Sequence, residues 1–122
     1  MSLIKIRRIA KEVRKCAEKK WRWGRDLEGM CGIASVMLHK ELLESGIATD
    51  IVCNSWHAFL EYQDYIIDIT ATQFDVPKAV FIKKRAKKEG EYWKCERRFQ
   101  NWEDFVIHQK EVGWPEEQIY GN

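Results

Sequence analysis

Three side chains in this sequence, Cys31, His57 and Asp68, are of the types that thiol chemistry requires, and they follow one another along the chain. Cys31 opens the helix-like run Cys31-Gly32-Ile33-Ala34-Ser35-Val36-Met37-Leu38. His57 belongs to a strand-like segment and Asp68 to the next one. Backbone N–H groups at a helix start favour a thiolate over a thiol. An imidazole can take the thiol proton, and a carboxylate can hold that imidazole in the productive tautomer. The chemistry so specified is attack on an acyl carbon, with His57 passing its proton to the leaving amine and the Cys31 N–H as one oxyanion donor. The second donor is sought in the loop before Cys31, where Trp23, Arg25 and Glu28 lie.

Each of these residues also has a plainer reading. A free cysteine serves well as a small buried hydrophobe, and a histidine beside Trp56 as a satisfied core group. Asp68 is harder to dismiss, because a carboxylate between Ile67 and Ile69 needs a partner to offset its burial. Thr70 and Gln73 fit either supporting hydrogen bonds or a strand end. Cys16 and Cys95, surrounded by charge, read as structural. A zinc site from Cys31, Cys53, His57 and Cys95 matches no compact zinc spacing, and no metal or organic cofactor is implied. His39, two turns along the helix, is expected to face solvent, and His108 has no motif around it.

The elements that must position the three residues are legible from periodicity. Ile6, Ile9, Val13 and Cys16 or Ala17 predict an amphipathic helix over residues 3–20 with a basic outer face. Residues 21–30 read as an ordered loop. Ala34, Met37, Leu38 and Leu42 predict a helix over 31–45, closed by Gly46. Residues 47–53 read as a short strand, and 56–62 and 65–70 as a hairpin turning at Gln63-Asp64. Residues 79–82 and 91–99 read as further strands, 102–112 as a helix, and the tail from Gly113 as irregular. In the hairpin, Tyr62 pairs with Tyr65, so Phe59 lies opposite Asp68 and His57 opposite Thr70. His57 and Asp68 then share a face as diagonal neighbours, about 7–8 Å apart at the backbone. A one-residue slip would turn Asp68 away.

The segments Gly29-Met30-Cys31-Gly32-Ile33-Ala34-Ser35, Trp56-His57-Ala58-Phe59-Leu60-Glu61-Tyr62 and Tyr65-Ile66-Ile67-Asp68-Ile69-Thr70-Ala71-Thr72-Gln73-Phe74 resemble the core of papain-like and transglutaminase-like cysteine enzymes. The resemblance covers residues 29–75. It implies an α+β fold with N-terminal helices packed on a small antiparallel β-sheet. By motif position it implies Cys31 as nucleophile, His57 as base and Asp68 as orienting acid. Members of this superfamily hydrolyse peptides, deamidate glutamine, cross-link amines, cleave cell-wall amides or have lost activity. The chain departs from papain in having no glutamine just upstream of the cysteine and no large second domain to form a cleft.

Length and composition bound the rest. The chain's 122 residues suit one domain spanning 1–122, and 45% hydrophobic with 33% charged residues is a globular balance. Six tryptophans supply buried surface without disulfides. No apolar run approaches the roughly 18–20 residues of a membrane span, and charges interrupt the N-terminal apolar stretch, so a cytoplasmic location is expected. The net charge of +2 is nearly balanced. The basic runs at 5–20 and 83–88 read as solvated faces, which makes nucleic acid a poor candidate partner. The expected activity is thiol-dependent amide hydrolysis on a peptide or protein substrate. The alternatives are glutamine deamidation or transglutaminase-type acyl transfer, and a non-catalytic binding protein on the same fold. A protein partner completing the cleft would be supported by an exposed aromatic patch at Trp21 and Trp23.

Overall fold

The structure, a computed structural model, describes residues 2–22 and 24–121. Helix α1 (Leu3–Lys20) buries Ile6, Ala10, Val13 and Ala17, a stripe at intervals of three and four residues. Of the two residues expected to finish that stripe, Ala17 is buried and Cys16 is exposed, as is Cys95. Arg14 breaks the pattern: it is buried, and its Nη1 donates to the Ile69 carbonyl at 2.8 Å and to Thr72 Oγ1 at 2.9 Å. Helix α2 (Cys31–Glu44) packs along α1 and over the sheet. Its C-terminus is closed by Gly46 at φ +82°, with the Ile47 N–H reaching back to the Leu42 carbonyl at 2.8 Å. Because α2 is covered on two sides, its buried face is wide and takes in His39, which the sequence reading turned toward solvent. Its Nδ1 lies 3.1 Å from Thr49 Oγ1, and burial holds its pKa below the usual histidine range.

Five strands follow: β1 (Asp50–Cys53), β2 (Ala58–Tyr62), β3 (Tyr65–Asp68), β4 (Phe81–Lys84) and β5 (Arg97–Phe99). They form one antiparallel sheet in the order β4-β3-β2-β1-β5. The chain is thus an α+β protein. Tyr62 pairs with Tyr65 and Leu60 with Ile67, the register the Gln63-Asp64 turn predicts, with Gln63 taking a left-handed φ of 55°. Alternate residues split between two faces. Cys53, Ala58, Leu60 and Ile67 join the core under the helices, while Val52, Phe59 and Ile66 form a second small cluster with Trp93 on the other face.

The largest departures lie after β3. Residues 91–99 do not make one strand. Glu91–Trp93 forms a 3-10 turn, and only Arg97–Phe99 joins the sheet. The cause is that the backbone carbonyls there are taken by side chains: Asn54 Nδ2 bonds the Tyr92 and Lys94 carbonyls at 3.1 and 2.9 Å, and Arg85 Nη1 bonds the Trp93 carbonyl at 2.9 Å. The turn folds Tyr92 and Trp93 back over β3. The fourth strand is shifted to 81–84, and its Lys83 and Lys84 suit a sheet edge. Helix α3 (Trp102–Glu111) is capped by Asn101, whose Oδ1 accepts from the Asp104 N–H at 3.0 Å. The tail read as irregular contains helix α4 (Glu116–Tyr120), begun by Pro115 and two acidic residues and packed on α2. Among the described residues no helix is long and apolar enough to cross a membrane.

Candidate active site

Cys31 stands at the first position of α2. The Ala34 N–H is bonded to the Met30 carbonyl at 2.8 Å, which leaves the N–H groups of Cys31, Gly32 and Ile33 without carbonyls of the helix to bond. No described side chain caps this end. The loop that delivers Cys31 is held in an unusual path, with Asp26 at φ 52°, Leu27 at φ 61° and Gly29 at φ 83°. Left-handed backbone at two adjacent non-glycine residues needs outside support. Trp21 Nε1 donates to the Glu28 carbonyl at 2.8 Å, Thr72 Oγ1 donates to the Asp26 carbonyl at 3.1 Å, and Gln73 Oε1 lies 3.5 Å from the Gly29 N–H. The loop before Cys31 is therefore tied to the turn that follows β3. Trp23, one of the three residues considered for a second oxyanion donor, lies outside the described residues.

His57 is carried by the short connection between β1 and β2. Asn54 builds that connection: its Oδ1 accepts from the Trp56 and His57 N–H groups at 2.8 and 2.9 Å. The His57 ring is fully buried, and its Nε2 lies 2.5 Å from Asp68 Oδ2. The other oxygen of Asp68 accepts from the Thr70 N–H at 2.8 Å and the Thr70 hydroxyl at 3.2 Å, and Trp93 Nε1 donates to Oδ2 at 2.9 Å. Four donors around one carboxylate more than offset its burial and hold Asp68 below the usual carboxylate range. For His57, burial favours the neutral ring, but Asp68 and then Cys31 overcome it and push the imidazole up to about 10. The pairing favours an imidazolium beside a carboxylate.

The remaining ring nitrogen, Nδ1, is buried and has no formed hydrogen bond. Cys31 lies close enough to the ring to raise its proton affinity. Phe74 meets the His57 ring edge-on with centroids 4.7 Å apart, Phe59 stacks at 5.8 Å, and Tyr92 stacks on Phe74 at 3.8 Å. These rings exclude water from the ion pair and so strengthen it.

The three residues singled out by type and order are thus brought together. Of the two left open, Thr70 bonds Asp68 and Gln73 ties the Cys31 loop. Asn54, Phe74 and Trp93 were missed as parts of the site. An Asn-Ser turn just before His57 is a local signal for Asn54. Trp93 has none, since only the folded turn at 91–93 brings its indole to Asp68. Of the aromatic patch expected at Trp21 and Trp23, Trp21 is buried and Trp23 lies outside the described residues.

A cavity of about 620 Å³ opens in front of Cys31. Its walls include Trp56 and, from the C-terminal third of the chain, Arg97, His108 and Trp114. Gly32 lets α3 and α4 approach: a side chain there would collide with Gln109 of α3 and lie 3.3 Å from the Gln118 carbonyl of α4. Cys53 also lines the cavity, but burial pushes its thiol up to about 11, which keeps it protonated. Among the described residues no three His, Cys, Asp or Glu side chains gather as a metal site. Comparison of the chain with protein-family models, with curated proteins and with solved structures finds no match.

Proposed function

We propose that this chain is a thiol-dependent amide hydrolase, a cysteine peptidase or amidase of papain-like type. One observation carries the reading: a buried His57–Asp68 pair with one ring nitrogen left unbonded, close to a cysteine at a helix N-terminus. The imidazolium and the helix start both favour the Cys31 thiolate. The thiolate sulfur attacks the amide carbon, and the oxygen's developing charge is met by the Cys31 N–H. The C–N bond breaks as His57 gives its proton to the leaving nitrogen. Water, losing its proton to His57, then resolves the thioester. Asp68 stays ionised throughout and steadies the imidazolium. Deamidation or amine transfer would pass through the same thioester and differ in the leaving group or acceptor. A peptide or protein substrate and a cytoplasmic location, where the thiol stays reduced, belong to the same reading.

The test is incubation of the purified chain with a defined mixture of peptides, followed by mass spectrometry. New peptide termini that vanish with Cys31→Ala are expected. Conversion of glutamine to glutamate without cleavage would redirect the reading to deamidation. No Cys31-dependent product from any peptide would count against an enzyme.

A further inference from the structure

The two neighbouring arginines of β5 are used differently. Arg98 closes on Asp50 and Glu61, each at 2.9 Å. Arg97 lines the cavity in front of Cys31, directly across the strand pair from Cys53, and has no ion-pair partner among the described residues. Burial is the main influence on both Cys53 and His108, and the Arg97 charge acts on each of them, as befits a guanidinium on this wall. Trp56, next to His57 in the chain, also lines the cavity and is 66% exposed. An exposed Trp56 and a guanidinium that rests over the Phe99 ring but has no carboxylate partner among the described residues, lining the same cavity as Cys31, make a recognition pair: a flat apolar surface and an anion site.

We infer that the cavity takes an acyl donor bearing a carboxylate, with that carboxylate on the Arg97 guanidinium and the adjoining apolar part against Trp56. The inference rests on the amide-hydrolase reading of Cys31. The carboxylate could be the free C-terminus of a peptide or an acidic side chain, since a guanidinium binds both in the same bidentate way.

Two alkylating agents of nearly equal size, iodoacetate and iodoacetamide, test the charge. Rates are measured at Cys31 by mass spectrometry in the wild type, Arg97→Gln and Arg97→Lys. Taking the ratio of the two rates cancels any change in the thiolate itself. The iodoacetate-to-iodoacetamide ratio is expected to fall about fivefold in Arg97→Gln, the effect of one charge several ångströms away, and to persist in Arg97→Lys. Acetylated trialanine with a free C-terminus, and an amidated acetyl-Ala-Asp-Ala, are then tested for protection of Cys31 from iodoacetamide. Protection by either, beyond that of amidated acetyl-trialanine and lost in Arg97→Gln, supports the assignment and identifies the source of the carboxylate. A ratio unchanged in Arg97→Gln, or anionic peptides no better than the neutral one, overturns it. A Cys31 inert to both reagents would instead bring down the amide-hydrolase reading, and this assignment with it.

Discussion

Two buried carboxylates on the same face of the sheet, Glu61 on β2 and Asp68 on β3, meet very different fates. Glu61 is clamped between arginines, with Arg85 Nε donating at 2.7 Å and Arg98 Nη2 at 2.9 Å. Arg85 also bonds the Trp93 carbonyl, and Arg98 also bonds Asp50, so the cluster pins β2, β5 and the 91–93 turn together. Asp68 takes a histidine instead. Arginine stays charged at any pH a protein experiences, and its donors are spent on holding the fold. Histidine has a second nitrogen and a proton it can give up. Around Glu61 the polar groups close on one another. Around Asp68 one buried nitrogen of the histidine is left over, in the neighbourhood of Cys31. Burial of charge by itself distinguishes neither region; a thiol close to the histidine does.

Substitution of Asp68 should produce the largest difference between the two regions. Asp68→Asn keeps the shape but removes the charge that holds His57 protonated. Turnover on any peptide found to be a substrate should drop by about 10³–10⁴-fold, the scale seen when a triad carboxylate is neutralised. Steady-state kinetics on folded protein checks this, and a drop below tenfold would put Asp68 among the structural carboxylates.

Glu61→Ala should do the reverse. It leaves two guanidinium groups without their shared partner and is expected to cost about 3 kcal/mol of stability. The alkylation pH profile of Cys31 in the folded fraction should not move. Urea unfolding and labelling of the same samples read both quantities, and a shifted profile would mean that the two clusters act as one.

Trp93→Phe sharpens the comparison further, because it keeps the ring over β3 and removes only the Nε1 hydrogen bond to Asp68. The cost should be about 1.5–2 kcal/mol, as for a bond to a charged acceptor. Asp68 loses one of the donors that hold its pKa down, so the acid limb of the Cys31 profile should move to higher pH. An unmoved limb would show that Trp93 only packs.

The smallest effect is the pH dependence of stability. Asp68, held low, contributes above its unfolded value of about 3.9 and loses that contribution as pH falls through its folded value. His57 works oppositely. Its contribution is complete below its unfolded value of about 6.5 and erodes as pH rises toward its folded value of about 10. The stability of wild type relative to His57→Gln/Asp68→Asn, which replaces the ions with neutral groups, should therefore be greatest between about pH 4 and 6.5 and decline toward pH 10. A flat difference across that span would argue against an ion pair.

Local periodicity carried much of this arrangement. Helix α2 follows from its apolar spacing and Gly46, and the hairpin register follows from a two-residue turn and a period of two, which together put His57 and Asp68 on one face. What escaped the linear reading depends on tertiary contact. His39 is buried because α2 has neighbours on two sides, a fact its own stripe cannot reveal. Residues 91–93 look strand-like by composition, but their carbonyls are claimed by Asn54 and Arg85 from elsewhere in the chain. The indole that steadies Asp68 and the ring stack over His57 arrive with that turn. The tail after Gly113 carried a helix start in Pro115-Glu116-Glu117, a signal too short to outweigh its polar composition, and its packing on α2 helps wall the cavity.

The most direct test of the central claim is the rate of iodoacetamide labelling at each cysteine from pH 5 to 9, in wild type and His57→Ala. If His57 and Asp68 form an ion pair facing Cys31, then Cys31 labels rapidly below pH 7, well ahead of the exposed Cys16 and Cys95, while Cys53 stays unreactive. In His57→Ala that advantage is lost, and Cys31 follows an ordinary thiol curve. Slow labelling of Cys31 below pH 7 in the wild type, or a profile unchanged by His57→Ala, would contradict the account and leave the buried pair a structural feature.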